Sequence, residues 1–115
     1  MNGSNSPMLD ADKIAAELSA RGMAWADANA AAEALEETKP TVLAQLAAEQ
    51  IGTGKSAAAA DTMAKADDRY LEHIQKMVDA RKAANRARIR WDTYKAYVEL
   101  LRTNASTDRA MMTMR

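Results

Sequence analysis

The chain contains no cysteine and no phenylalanine, and only one histidine, two prolines and four glycines in 115 residues. Each scarcity excludes something. Without thiols there are no disulfides and no thiolate metal sites, which suits a reducing compartment. A metal site needs three or four ligands, and with a lone His73, no cysteine and no inward acid in the seam apart from Glu49, no metal is expected. No apolar run approaches the roughly 20 residues that a membrane span requires. The opening MNGSNSPMLD lacks the basic and apolar regions of a secretion signal, so the expected location is the cytoplasm. Aromatic residues are confined to Trp25, Tyr70, Trp91, Tyr94 and Tyr97. A core built mainly from alanine is thin, and association with another chain would thicken it.

What is abundant is helix-forming. Alanine, leucine, methionine, glutamate, lysine and arginine lose little side-chain entropy in a helix. Residues 1–9, rich in Asn, Ser and Gly, read as a disordered arm. From Asp10 or Asp12 as N-cap, a first helix is expected over about residues 11–50. Its apolar positions Ile14, Leu18, Trp25, Ala28, Ala32, Leu35, Val42 and Leu46 recur at heptad spacing, interrupted by Lys39 and Glu49. Pro40 lacks a backbone donor, which predicts a kink there or a break with restart from Thr38; Gly22 is a second weak point.

The clearest punctuation is Gly52-Thr53-Gly54. Gly52 can adopt the left-handed conformation that ends a helix, and Thr53 or Ser56 can cap the next, giving a turn over 52–55. A second, uninterrupted helix is expected over about 56–102. Two rows repeat along it every seven residues: Met63, Tyr70, Met77, Ala84, Trp91, Val98, and Ala66, His73, Ala80, Ala87, Tyr94, Leu101. That is a coiled-coil seam. Folding the chain back at the glycines sets Trp25 against the stretch Ala80–Ala87, and Trp91 against Ala15 and Ala16. Large then opposes small on both arms. The expected architecture is an all-α antiparallel helical hairpin with a long C-terminal helix, dimerising into a four-helix bundle. Residues 103–115 form either a short helical turn or a frayed tail.

One stretch, IGTGKSAAAA, ends its glycine pair with the Gly-Lys-Ser of a phosphate-binding loop. The full pattern places a first glycine five residues before Gly54, where this chain has Glu49, and it follows a strand, where this chain has the helical LAAEQ. A carboxylate at that point would also repel a triphosphate. The segment reads as a turn. No serine, threonine or carboxylate stands beside a plausible base, so neither catalysis, nor a cofactor, nor a small-molecule substrate is expected. His73, within the seam, reads as a core or interface residue that would make an interface sensitive to pH near 6.

Net charge is zero, but the charges are segregated. Residues 1–50 carry three bases against eight acids, a net of −5, whereas residues 69–102 carry nine bases against four acids, a net of +5. The segment RKAANRARIRW, Arg81 to Trp91, concentrates the excess. Seam-flanking positions hold Arg69, Lys76, Arg81, Arg88, Arg90, Lys95 and Arg102, but only Glu17 and Glu36 flank the seam on the first helix. Two acids cannot satisfy seven bases, and Lys82 and Arg86 point outward. Arg81, Lys82, Arg86, Arg88 and Arg90 are therefore the candidate binding residues. Their target is an acidic protein or a nucleic acid. Guanidinium binds phosphate through paired hydrogen bonds, while zero net charge and a pI near 6.6 count against DNA. Trp91 and Tyr94 could stack on bases, but their seam positions place them in a core first.

The same region carries a resemblance. Ala83, Ala84, Asn85, Ala87, Arg88 and Arg90, followed by Arg102, Thr103, Thr107, Arg109 and Ala110, are similar to the final helices of small helical proteins of temperate phages and prophages, with Trp91, Ser106 and Met111 departing from that pattern. The resemblance implies phage origin, residence in the cytoplasm of a bacterial host, and encoding near replication or recombination genes. It implies no catalytic residues.

Overall fold

The computed structural model describes residues 10–114 as three helices: α1 (Ala11–Gly52), α2 (Ala57–Lys65) and α3 (Asp68–Thr113), with no strand among the described residues. The expected N-terminal arm, residues 1–9, lies outside the described residues. The protein is an all-α helical hairpin whose two long arms, α1 and α3, run antiparallel.

Neither weak point interrupts α1, which passes Gly22 and Pro40 without a break. Pro40 removes the donor that the Glu36 carbonyl would receive, and a proline ring also crowds the preceding turn. Side chains supply donors just upstream. The Thr38 hydroxyl donates to the carbonyls of Ala34 and Leu35 at 3.0 and 3.1 Å, and His73 Nε2 lies 2.8 Å from the Leu35 carbonyl. A carbonyl only accepts, so that ring nitrogen carries its proton.

The connection departs from the expected tight turn. Gly54, not Gly52, takes the left-handed conformation, with φ of 92°. Ser56 then caps α2 in extended geometry, its hydroxyl accepting from the Ala59 amide. The second arm breaks at Ala66–Asp67 without any glycine or proline. There the Asp67 carboxylate accepts from the Arg69 amide at 2.8 Å, a side-chain N-cap that starts α3 afresh. The far end differs as well: α3 continues past Arg102 to Thr113, so most of the expected tail is helix.

The chain divides into two compact units, one of Asp27–Asn85 and the other of the residues up to Ala26 with those from Arg86 onward. In the first, Leu46, Ala64 and Tyr70 form a core, with Val42, Leu43, Ala47 and Ile74 packed on it. Ala60 is buried beside them on the same face of α2, and Ala32 and Ala84 expose no surface. Arg69 reaches Glu49 through two hydrogen bonds, at 2.6 and 3.1 Å, so the end of α1 is tied to the start of α3. The whole of residues 53–67, α2 included, is therefore the connection between the arms.

That connection moves the seam. Met63 is exposed rather than buried, because α2 turns Ala60 and Ala64 inward instead; Ala66 is exposed at the break. From Tyr70 onward, His73, Met77, Ala84, Trp91, Tyr94 and Val98 are buried or half-buried, as are the heptad positions of α1. The seam is consumed inside the chain.

In the second unit Trp25 stacks on Trp91, with ring centroids 5.6 Å apart, and the Trp91 ring lies over Gly22. Trp91 thus meets α1 nearly two turns beyond the expected Ala15 and Ala16, and Trp25 meets an aromatic ring rather than the alanine stretch. The pairing of arms starts at Glu49 and Arg69 instead of at the glycines, which accounts for the shift. Large opposes small only at Gly22, where a Cβ would sit 3.1 Å from the indole and the ring would have to give by a few tenths of an ångström.

Candidate basic surface of the third helix

Helix periodicity assigns the five candidate bases to different roles. Arg81 belongs to the Asp27–Asn85 unit, and its guanidinium is committed there. It grips Glu36 through two hydrogen bonds, at 2.7 and 3.0 Å, and donates a third to Asn29 at 2.8 Å. Such a fork-to-carboxylate pair fixes geometry as well as charge. Arg81 holds α1 against α3, and this corrects its expected place in the presented surface.

Lys82, in the same unit, is exposed and joins no ion pair among the described residues. Beside it lies an open groove of about 270 Å³, lined by Glu36, Met77, Val78, Arg81, Lys82 and Asn85. In the other unit Arg88 pairs within α3 with Asp92 at 3.7 Å. Arg86 and Arg90 are exposed and join no ion pair among the described residues; the Arg90 contribution to packing is its backbone carbonyl, which accepts from Arg21 at 3.2 Å. Lys82, Arg86 and Arg90 follow one another at four-residue spacing in the sequence, and within the second of these units that spacing keeps Arg86 and Arg90 on one side of α3.

The other expected bases are neutralised by acids that a count across the seam overlooks. Arg69 meets Glu49 and Asp67. Lys76 meets Glu72, Lys95 shares Asp92, and Arg102 meets Glu99, all within α3. The signal was present in the sequence, since every one of those α3 pairs stands three or four residues apart. Glu17 likewise pairs with Arg21 on its own helix rather than across the seam.

The aromatic residues near the basic segment are occupied too. Trp91 is stacked on Trp25 and covered by Lys95 Nζ at 3.9 Å, and Tyr94 lies under the Arg21 guanidinium at 4.7 Å. Neither offers a clear face to a base. His73 is surrounded by the Leu35 carbonyl and the Thr38 hydroxyl, and among the described residues no group of three or more His, Cys, Asp or Glu side chains is placed to hold a metal ion.

The cross-helix pairs have an electrostatic signature. Hydrogen bonds from Arg81 hold the Glu36 carboxyl below its ordinary range, and hydrogen bonds from Arg69 do the same for Glu49 and Asp67. A carboxyl lowered in the folded state contributes stability above its unfolded pKa and loses it as pH falls through the lower folded value. Thermal melting followed by circular dichroism should therefore deteriorate most steeply below pH about 4. Glu36→Gln with Glu49→Gln should flatten that acid limb, and an unchanged limb would show that the pairs contribute nothing.

No helix among the described residues is long and apolar enough to cross a membrane. No family model, characterised protein or solved structure matches this chain.

Proposed function

We propose that this is a non-catalytic, self-associating interaction protein of phage type that works in the bacterial cytoplasm and presents one side of α3 to an acidic segment of a partner protein. The observation that carries this reading is the set Lys82, Arg86 and Arg90. Between Arg69 and Arg102 these are the cations of α3 without an acidic partner among the described residues. Exposed ion pairs contribute only about 0–1 kcal/mol each, so three unpaired cations at regular spacing add little to folding and are available for recognition. The likeness of residues 83–110 to phage helical proteins supports the origin.

Nucleic acid is the rival target, since the same spacing suits phosphates. The occupied faces of Trp91 and Tyr94 and the zero net charge favour protein. Anisotropy titrations with labelled poly-glutamate and with labelled random-sequence DNA separate the two. At about 50 mM salt poly-glutamate should bind, and the K82A/R86A variant should bind at least about tenfold more weakly, a loss of about 1.4 kcal/mol. Tighter binding of DNA, weakening steeply toward about 200 mM salt, would transfer the function to nucleic acid. If neither probe binds, the basic face is not a recognition surface.

A further inference from the structure

With the heptad seam consumed inside the chain, self-association needs another face, and α3 carries one in its C-terminal part. Ile89, Leu100 and Met111 are each more than half exposed, at 63%, 58% and 57%. They are separated by eleven residues each time. Eleven residues make almost three turns of an α-helix, so the three side chains fall on one line along a nearly straight rod. Ala96, Thr103 and Thr107, small and exposed, lie along that line between them. Beyond Leu101, every described residue of α3 is exposed, so among the described residues nothing covers its last three turns. An isolated helix of that length is marginal in water.

We propose that this line is the contact between two copies of the chain, packed antiparallel about a twofold axis at Leu100. Two observations select a second copy as the occupant. The first is spacing. A line symmetric about Leu100 is self-complementary when antiparallel, with Leu100 meeting Leu100 and Ile89 meeting Met111 of the second copy.

The second is charge. Arg90 and Asp108 are eighteen residues apart, which is five full turns, so they share one flank of the line. In an antiparallel pair like flanks meet, which brings Arg90 of each copy beside Asp108 of the other. Asp108 joins no ion pair among the described residues, and neither does Arg90.

The contact uses Arg90 and leaves Lys82 and Arg86 to the acidic partner.

This inference rests on the self-association part of the proposed function, and the test separates the two. Sedimentation equilibrium of the full chain, up to about 100 μM, should give a dimer. Leu100→Glu should weaken it at least about a hundredfold while circular dichroism stays helical, because Leu100 is exposed in the single chain. Arg90→Glu and Asp108→Arg should each weaken it several-fold, and R90E/D108R together should restore it within about a factor of two.

The chain has no cysteine, so L100C alone should oxidise to a disulfide-linked dimer, whereas I89C should not. A monomeric wild type would overturn self-association and this face together. A dimer that survives Leu100→Glu would overturn the face alone, and cross-linking through I89C in place of L100C would overturn the antiparallel arrangement.

Discussion

Replacing Leu46 by alanine should cost the protein about 2–4 kcal/mol and lower its melting temperature by on the order of 10 °C. The reasoning starts from how little else there is. Among the described residues no large side chain is wholly buried, and the Asp27–Asn85 unit depends on a cluster in which Leu46, 5% exposed, touches elements of all three helices through Ala64 and Tyr70. Alanine is at least as good a helix former as leucine, so α1 itself is not weakened. The loss comes from removed apolar contact and from the space left between α2 and the two arms.

Because α2 buries only Ala60 and Ala64, it has no other large side chain inside with which to fill that space. Leu71→Ala is the control. Leu71 lies at the same end of α3 but is 52% exposed, so its removal should change stability by no more than about 0.5 kcal/mol. Thermal and urea melts of the two variants beside wild type decide the matter. Equal melting of L46A and wild type would mean that this cluster is not what holds the three helices together.

The arms of the fold were legible in the sequence because their signal is periodic and redundant. Ile14, Leu18, Trp25, Ala28, Ala32, Leu35, Val42 and Leu46 each announce one turn of α1, and together they outweigh Gly22 and Pro40, two local signals of weakness. Burial of a whole stripe outvotes one missing hydrogen bond, particularly when Thr38 and His73 bring donors to the same region.

The connection was illegible for the converse reason. Asp67 caps a helix with a carboxylate in the middle of an otherwise ordinary helical sequence, and its effect depends on where Glu49 and Arg69 stand. A seven-residue repeat counted through that point assigns Met63 to the seam, although the break has already changed the phase. The register error at Trp91 descends from the same cap.

The charges tell a similar story. Seam-flanking positions were read as leaving Arg81 to a partner, whereas it pairs with Glu36 across the helices, and counting only acids across the seam overstated the unpaired surplus. Local acids at helical spacing quench Lys76, Arg88, Lys95 and Arg102. What remains, Lys82, Arg86 and Arg90, is a narrower set, and its regular spacing becomes visible only once the quenched cations are removed.

Alanine to leucine at position 84 tests how closely the two arms approach. By its heptad position Ala84 belongs to an alanine stretch of the seam, where small is expected to face the other arm. In the folded chain Ala84 has no exposed surface, nor has Ala32 on α1. Two helices bury an alanine completely only where they approach closely, toward the short end of the ordinary 8–10 Å between axes. Arg81, three residues away, is meanwhile bonded to both Glu36 and Asn29, so its fork restrains that separation.

Three added carbons must then either push the arms apart, loosening the Arg81–Glu36 grip, or take a strained rotamer. Ala84→Leu should accordingly destabilise by about 1–3 kcal/mol, with Ala32→Leu acting in the same direction from the other arm. Ala83→Leu, exposed beside Ala84 on α3, should leave folding within about 0.5 kcal/mol of wild type. A higher melting temperature for A84L would show that the arms stand far enough apart at that level to admit a full side chain. The alanines would then mark an underfilled seam, and the fork of Arg81 would not be setting the spacing of the hairpin.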